Sequence, residues 1–183
     1  MRSNAAEKEG TLTEPLCTTE RLTVRKFRPE DAADLAEILT DPAVTYFEPY
    51  PTFTREACAR EAENFSQSDE FFAVVRNGRV IGKIYFSERE SGSFELGYTF
   101  AAAFQGQGYA AESLRAFLRY AFTLPGVRRI TAQIDTRNVR SVRLAERLGM
   151  RREAEHKALY PRKEDPSLYN DFYVYAILKA ECL

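Results

Sequence analysis

The stretch Phe104–Phe117, FQGQGYAAESLRAF, places two glycines and two glutamines directly before an apolar helical repeat. The repeat predicts a helix that begins close to Gly108. The first turn of a helix carries main-chain N–H groups without intrahelical acceptors, together with a partial positive charge. Because glycine leaves this main chain uncovered, the stretch predicts an anion-binding turn at the mouth of a helix.

Length and charge narrow the class of protein. The chain has 183 residues, with 26 basic and 27 acidic side chains and a formal net charge of −1. We expect residues 1–18 to be a flexible N-terminal extension and residues 19–183 a single domain with a full core. The balanced charge argues against nucleic acid or an anionic membrane surface as partner.

Cysteine usage and hydropathy point to the cytoplasm. No stretch of the sequence reads as a secretory leader or as a membrane span. The cysteines are odd in number and lack metal-ligand spacing, so we expect a reducing compartment, no metal site and no cysteine nucleophile. These cysteines are Cys17, Cys58 and Cys182.

Turn signals predict the centre of the sheet. Asn77-Gly78 and Ser91-Gly92 separate three apolar runs between Phe71 and Phe100. Asn-Gly between apolar runs is a strong signal for a type I′ hairpin. The segment is therefore predicted to be a three-stranded antiparallel meander.

The remaining elements complete an α+β pattern. A strand over Glu20–Phe27, a helix from Pro29 and a helix from the N-cap Thr54 are predicted before the meander. After the glycine turn come a helix, the strand RRITAQID, a short helix from the N-cap Asn138 to Gly149, and two late strands. The order β-α-α-β-β-β-α-β-α-β-β predicts helices on both faces of a mixed, mostly antiparallel sheet. The predicted buried face of the helix after the turn comprises Ala111, Leu114, Phe117, Leu118 and Ala121.

The glycine turn admits several interpretations. It could be only a tight connection between a strand and a helix. A P-loop is excluded, because no lysine followed by Ser or Thr comes after Gly108. The spacing Gly106-x-Gly108-x-x-Ala111, with Asp135 after the next strand, matches a dinucleotide fingerprint. The antiparallel meander before the turn argues against that alternative.

The pattern Gln105-x-x-Gly108-x-Ala110 matches the Q/R-x-x-G-x-G/A signature of GNAT-superfamily acyltransferases. The neighbouring segments ELGYTF and RNVRSVRLAERLGM, and the opening TERLTVRKFRPEDAADL, are also similar to that family. The similarity runs from about Thr19 to Lys179. The chain most resembles the Rim-type branch, which acetylates the N-terminal amines of ribosomal proteins and includes relatives of other specificity.

This resemblance implies acetyl-CoA as cosubstrate. The main chain of Phe100 and Ala101 would hold the pantetheine arm, and a main-chain N–H near Phe100 would polarise the thioester carbonyl. Asn138 would contact the pantetheine region. The diphosphate would lie on Gln105, Gly106, Gln107, Gly108, Tyr109 and Ala110. The arginines that could meet the 3′-phosphate are Arg137, Arg140 and Arg143.

Glu95 is the first candidate for the general base, acting through a water. Alternation along the strand places it on one face with Gly97 and Thr99. A carboxylate in an apolar central strand costs free energy unless it is partnered or wetted, which favours a function. The alternative is a solvated edge glutamate.

The sequence departs from the family pattern at the position of the general acid. Many GNAT enzymes carry a tyrosine at the position of Ala145, which has no proton to donate. Ser141 and Tyr98 are the alternative hydroxyl groups. A thiolate with a pKa of about 8.5 leaves without a strong acid, so the departure weakens the mechanism without excluding it.

Two loops are predicted to flank the amine site. The segment Tyr46–Pro51 is aromatic and rich in proline, and the segment Tyr160–Asn170 is a polar excursion. His156, the single histidine, lies close to the second loop and could help to remove a proton.

The expected activity is direct transfer of acetyl from acetyl-CoA to a primary amine, without metal or covalent intermediate. The amine could belong to a protein N-terminus or to a small molecule. The alternatives are a non-catalytic acyl-CoA-binding module and a dinucleotide-dependent oxidoreductase. A monomer or a homodimer is compatible with the sequence, and the C-terminal strand DFYVYAILKA could pair with a second subunit if it lies at an edge.

Overall fold

A computed structural model describes residues 14–182 of the chain. In this range the fold combines an eight-stranded sheet with five α-helices and three short 3₁₀ segments. The strands are β1 Cys17–Thr18, β2 Thr23–Lys26, β3 Phe71–Arg76, β4 Arg79–Glu90, β5 Ser93–Phe100, β6 Arg129–Asp135, β7 Arg151–Pro161 and β8 Tyr169–Leu178. The helices are α1 Ala32–Leu39, α2 Pro42–Thr45, α3 Arg55–Gln67, α4 Tyr109–Ala121 and α5 Val139–Arg147. The 3₁₀ segments are Pro29–Asp31, Ala102–Phe104 and Lys179–Glu181.

The strand order is β1-β2-β3-β4-β5-β6-β8-β7, and every neighbouring pair is antiparallel except β5 with β6. The predicted α+β class with a mixed, mostly antiparallel sheet is therefore confirmed. The meander is confirmed as well, because Asn77 and Gly78 have φ angles of 49° and 79°, as a type I′ turn requires.

Helices cover both faces of the sheet, and each face has its own apolar core. Helices α1 and α3 pack with Ala73 and Val75 on one face. Helix α4 packs with Phe72 and Val74 on the other, and its whole predicted apolar face is buried. The alternation of strand side chains thus defines an α1/α3 face and an α4/α5 face.

The C-terminal strand is not at an edge. β8 lies between β6 and β7, so the edge position on which its pairing with a second subunit depended is not found. The difference follows from composition, because β8 buries Tyr175, Ala176 and Ile177 in the core. β7, with its charged sequence RREAEHK, takes the edge position, where charges discourage unwanted pairing.

The N-terminal elements also differ from prediction. Most of the predicted extension lies outside the described residues, but Cys17 and Thr18 already pair with Val24 and Thr23, so the sheet begins before residue 19. The loop with Tyr46–Pro51 is directly preceded by a short helix, α2, which was not predicted from the sequence. Asp41 caps that helix by accepting the N–H of Ala43 at 2.9 Å, and proline occupies its first position.

Among residues 14–182, no helix has both the length and the apolar character that a membrane span requires.

Candidate active site

The one parallel junction of the sheet opens into a gap. β5 and β6 pair only at Ser93–Glu95 with Arg129–Thr131 in the described chain, although each continues alongside its other neighbour. The N–H of Ala101 bonds to Ile81 on the β4 side, so alternation directs the carbonyl of residue 96 and the main chain of residues 98 and 100 toward the gap. Main-chain groups that no neighbouring strand pairs with suit a ligand that lies along a strand.

The glycine turn lies just beyond the open end of β5. Gly106 and Gly108 have φ angles of 76° and 83°, which L side chains rarely adopt. A β-carbon at Gly106 would meet no atom within 4 Å, and one at Gly108 only an arginine nitrogen at 3.5 Å. Both glycines are therefore needed for their backbone conformation, and the space above the turn is open.

The turn presents main chain rather than side chains. The first helical bond of α4 runs from the N–H of Glu112 to Gly108, so the N–H groups of the three preceding helical residues, Tyr109, Ala110 and Ala111, stay free for an anion. The ring of Tyr109 is buried, with the guanidinium groups of Arg21 and Arg76 at 4.5 and 5.1 Å from its centroid. Only the main chain of Tyr109 is thus available to a ligand.

The glutamines of the motif tie the turn to its surroundings. Gln105 donates from Nε2 to the carbonyl of Phe100 at 2.9 Å and accepts from Arg140 through Oε1 at 3.1 Å. Gln107 donates to the carbonyl of Ala103 at 2.8 Å. The first glutamine therefore links the end of β5, the turn and α5. Phe100 and Ala101 themselves are buried, and their side chains pack into the two cores.

Asn138 caps α5, as the sequence predicts, by accepting the N–H of Ser141 at 3.2 Å. Its contact with a ligand stays a prediction. Arg143 is exposed on the same helix, and its role also stays a prediction. Arg137 differs, because its guanidinium is paired with Asp135 and Glu164. Its guanidinium is thus engaged by two carboxylates, and its contact with a phosphate stays a prediction.

The two hydroxyl groups proposed as acid candidates meet each other. Ser141 donates from Oγ to the hydroxyl of Tyr98 at 3.0 Å, and the Tyr98 hydroxyl lies 3.3 Å from the Ser141 carbonyl. Burial raises the pKa of Tyr98 to about 12, and the charge of Glu48 acts in the same direction. Tyr98 thus keeps its proton at neutral pH and holds it on the α4/α5 face of β5.

Glu95 lies at the closed end of the gap. Its register opposite Ser87 and beside Thr131 places it in the paired part of β5. Its carboxylate accepts from Arg89 at 2.6 Å. It lies four positions before Thr99, about 13 Å along the strand. Its role as general base stays a prediction.

A polar cluster that sequence reasoning missed lies at the open end of β5, on the α1/α3 face. Thr99 donates from Oγ1 to Glu48 at 2.8 Å, and Lys83 donates to the hydroxyl of Tyr50 at 2.9 Å. Lys83 is 3% exposed, and burial lowers its pKa, against the opposing effect of the Glu48 charge. No local pattern signals this cluster, since Glu48 and Thr99 meet only through the tertiary fold.

The two loops predicted to flank the amine site contact each other. Lys163 donates from Nζ to the carbonyls of Thr45 and Tyr50, both at 2.7 Å. Tyr46 donates to Glu164 at 2.8 Å. Hydrogen bonds from its own main chain, from Tyr46 and from Arg137 lower the pKa of Glu164 to about 2. The loops therefore form one clamped wall beside the open end of β5.

His156 and the cysteines lie elsewhere. His156 is exposed on edge strand β7, in register with Phe172, and its proposed role stays a prediction. Burial raises the pKa of Cys17 to about 11 and also raises those of Cys58 and Cys182, which disfavours their thiolates. In the part of the chain that the structure describes, no group of three or more His, Cys, Asp or Glu side chains could hold a metal ion.

Comparison with known proteins decides the family. The family model described as "Acetyltransferase (GNAT) domain" matches residues 21–151. The chain belongs to the GNAT acetyltransferase family. The uncharacterized N-acetyltransferase YnaD of Bacillus subtilis (strain 168) is 33% identical over 171 residues, which cover 90% of this chain and 97% of that protein.

Two further GNAT relatives support the assignment. A crystal structure of a GNAT-family acetyltransferase from Bacillus anthracis has a TM-score of 0.83 and 31% identity, covering 90% of this chain and 99% of that one. The ribosomal protein uS5-alanine N-acetyltransferase of Escherichia coli (strain K12) is 30% identical over 155 residues, 76% of this chain and 80% of that protein. The predicted resemblance, including Rim-type homologues, is confirmed.

GNAT membership makes the chain an acyl-CoA-dependent N-acetyltransferase, and this sets aside the oxidoreductase and the non-catalytic module. Asp135, which the dinucleotide alternative assigned to a ribose, is buried and accepts from Arg137 through both carboxylate oxygens. Ala145, at the position where many GNAT members have tyrosine, is completely buried in the core. A phenol would not fit there without moving its neighbours.

Proposed function

We propose that the chain transfers an acetyl group from acetyl-CoA directly to a primary amine, with both substrates bound together. One observation carries the proposal: at the open end of β5, adjacent residues present a proton donor on one face and a carboxylate on the other. Tyr98 with Ser141 lies on the α4/α5 face, and Thr99 with Glu48 on the α1/α3 face. The cofactor would enter from the first face and the amine from the second.

The main chain of this site is suited to the cofactor. The free N–H groups at the mouth of α4 would bind the diphosphate, since several converging donors and the helix dipole favour an anion. The open edge of β5 would pair with the pantetheine arm and would bring the thioester to Phe100. A main-chain N–H there would stabilise the developing oxyanion by a few kcal/mol. Residues proposed to hold the diphosphate and pantetheine are Phe100, Ala101, Gln105, Gly106, Gln107, Gly108, Tyr109, Ala110 and Asn138, with Arg143 near the 3′-phosphate.

The hydroxyl pair would serve the leaving group. When the amine attacks the thioester carbon, a C–N bond forms and the C–S bond breaks, and the sulfur requires a proton. Tyr98 would donate it, held in place by Ser141. Removal of a proton from the amine is the task that the sequence assigns to Glu95 acting through a water.

A peptide N-terminus is the preferred acceptor. The relative from Escherichia coli is named for acetylation of an alanine of ribosomal protein uS5. An α-amine titrates at about 8, well below a lysine, and therefore needs less help to lose its proton.

The test is release of free thiol from acetyl-CoA with a panel of acceptors. The panel comprises peptides with free and with blocked N-termini, a polyamine and an amino sugar. We expect release with free N-terminal peptides and none with the blocked ones. Binding of CoA, seen as protection from thermal unfolding, without turnover on any amine would overturn the proposal.

A further inference from the structure

The tertiary fold holds a second carboxylate, Glu48, at the open end of β5. Its main-chain N–H bonds to the carbonyl of Thr45 at 3.1 Å, and its side chain accepts from Thr99 at 2.8 Å. Lys163 ties the same loop down at Thr45 and Tyr50. The position of the Glu48 carboxylate relative to β5 is thus fixed at three points.

Glu48 differs from the other carboxylates around the site in having no cation bound to it. Glu95 is paired with Arg89, and Asp135 and Glu164 are paired with Arg137. Among residues 14–182, no ion pair is formed by Glu48.

The two lysines whose pKa values respond to the charge of Glu48 are engaged elsewhere. Lys83 donates to the Tyr50 hydroxyl, and Lys163 donates to main-chain carbonyls. Glu48 is half-buried, so its side chain is not fully enclosed by its neighbours. A half-buried carboxylate that lacks a counter-ion is suited to bind a cationic ligand.

The aromatic side chains of the loop that carries Glu48 also suit a cation. The rings of Tyr46 and Phe47 stand edge to face at 4.7 Å, and those of Tyr50 and Phe53 at 5.4 Å. Aromatic faces attract ammonium groups, and two protein cations already lie over these rings: Lys83 over Tyr50 at 4.7 Å and Arg137 over Tyr46 at 5.7 Å.

We propose that Glu48 binds the ammonium group of the acceptor and takes its first proton. This inference rests on the proposed function. In the step, R–NH₃⁺ and the Glu48 carboxylate become R–NH₂ and the carboxylic acid, and water later removes that proton. The amine lone pair then attacks the thioester carbon.

Tyr98 carries out the remaining two proton transfers. The sulfur takes the Tyr98 proton as the C–S bond breaks. The nitrogen, positively charged after the attack, loses its second proton and restores Tyr98. The products are a neutral amide, free thiol and one proton released through Glu48.

The experiment compares Glu48→Gln, Glu48→Asp, Glu95→Gln and the matched control Glu153→Gln, each in the full chain. Glu153 is a glutamate paired with Arg129 and Arg151 on the far strand β7. Thiol release is measured with a free N-terminal peptide and with an arylamine, which is already neutral at pH 7. CoA binding is measured by thermal protection.

For Glu48→Gln we expect a loss of about 100-fold or more in kcat/KM for the peptide, because general base catalysis contributes roughly 10²–10⁴-fold. The loss with the arylamine should be below about tenfold, since no ammonium proton has to be removed. Glu48→Asp should recover part of the activity, Glu153→Gln should stay within about twofold of the wild type, and CoA protection should be unchanged in all variants.

Several results would overturn the inference. Peptide turnover by Glu48→Gln equal to the wild type would do so, as would an equal loss on both amines. A large loss confined to Glu95→Gln would assign the base to Glu95 instead. Absence of thiol release by the wild type on every amine would overturn the proposed function and this inference together, which distinguishes the two failures.

Discussion

The glycine turn and the wall formed by the two clamped loops with the adjacent polar cluster are built in different ways. The turn consists of consecutive residues, and it offers main-chain N–H groups whose directions depend on two glycine φ angles. The wall consists of side chains from distant parts of the chain, such as Tyr46 with Glu164 and Thr99 with Glu48. The main-chain geometry of the turn is therefore encoded locally, whereas the side-chain contacts of the wall exist only in the completed fold.

The largest effect, a loss of affinity for CoA, is expected for Gly108→Val, which distorts the backbone of the turn. A β-branched residue at a φ of 83° is disfavoured by about 1–2 kcal/mol, and the turn would rearrange to avoid it. The N–H groups would then no longer converge on the diphosphate. We expect the Kd for CoA, measured by calorimetry, to rise at least about tenfold.

Gly126→Val is the matched control for this substitution. Gly126 has the same φ of 83° and lies away from the turn, and a β-carbon on it would meet no atom within 4 Å. The variant should lose similar stability and keep wild-type affinity for CoA. Equal loss of affinity in both variants would contradict a specific role of the turn.

The next effect concerns the wall, through Arg137→Ala. This substitution leaves the buried Asp135 carboxylate without its guanidinium partner, which should cost about 1–3 kcal/mol in the free energy of unfolding. It also removes one of the two side-chain hydrogen bonds to Glu164 and so loosens the second loop. We expect a raised KM for the amine with unchanged CoA affinity, measured by steady-state kinetics and calorimetry.

Arg151→Ala is the control for the wall. Its ion pairs with Glu153 and Glu181 are exposed and screened by solvent, so the free energy of unfolding should change little and the kinetics should stay the same. A matching change in KM for the amine would show that the wall has no special role.

A smaller effect on thiol release is expected for Tyr98→Phe, a substitution on β5 between the glycine turn and the wall. The variant keeps the ring and loses the proton donor, so thiol release should fall about tenfold, less than a full general acid contributes, because thiolate is a fair leaving group. Burial holds the pKa of Tyr98 at about 12, above its ordinary value. The protonated form therefore persists as the pH rises, and wild-type kcat should show no decline from Tyr98 between pH 7 and about 10.

Tyr120→Phe, a tyrosine at the far end of α4, should leave the same rates unchanged. A wild-type decline in kcat near pH 9 that disappears in Tyr98→Phe would contradict the assigned pKa.

The smallest effect is a change in how the free energy of unfolding depends on pH, and it is expected for Lys83→Met. Burial lowers the pKa of Lys83 in the folded state, so the unfolded chain binds the proton more tightly. Wild-type stability should therefore rise as the pH rises toward 10.5, because deprotonation removes this cost, whereas Lys83→Met should lack that rise. Denaturant unfolding of both proteins at several pH values checks the sign. A wild-type protein that gains no stability relative to the variant would contradict it.

Local signals predicted much of the fold. The Asn77-Gly78 turn, the N-caps at Thr54 and Asn138 and the apolar face of α4 depend on residues close in sequence, and the structure has all of them. Strand alternation also placed Glu95 and Thr99 on one face. These features follow from backbone geometry, which the sequence specifies within a few residues.

Long-range features could not be predicted in this way. Glu48 meets Thr99 across 51 residues, and no pattern near Glu48 indicates it. The cluster of Arg137 with Arg140 and Arg143 suggested a phosphate contact, but no pattern near Arg137 indicated its ion pairs with the buried Asp135 and with Glu164. The edge position of β7 likewise depends on which late strand is more apolar, and only packing decides that.

The short parallel junction has a mechanical consequence. Two antiparallel ladders, one running from β1 to β5 and one from β6 to β7, are joined in the sheet by three residues on each side. A strand-like ligand seated in the gap would bridge the ladders and complete the sheet. Amide hydrogen exchange at Tyr98 and Phe100 should then slow when the cofactor binds, so that the enzyme is most rigid when it is loaded.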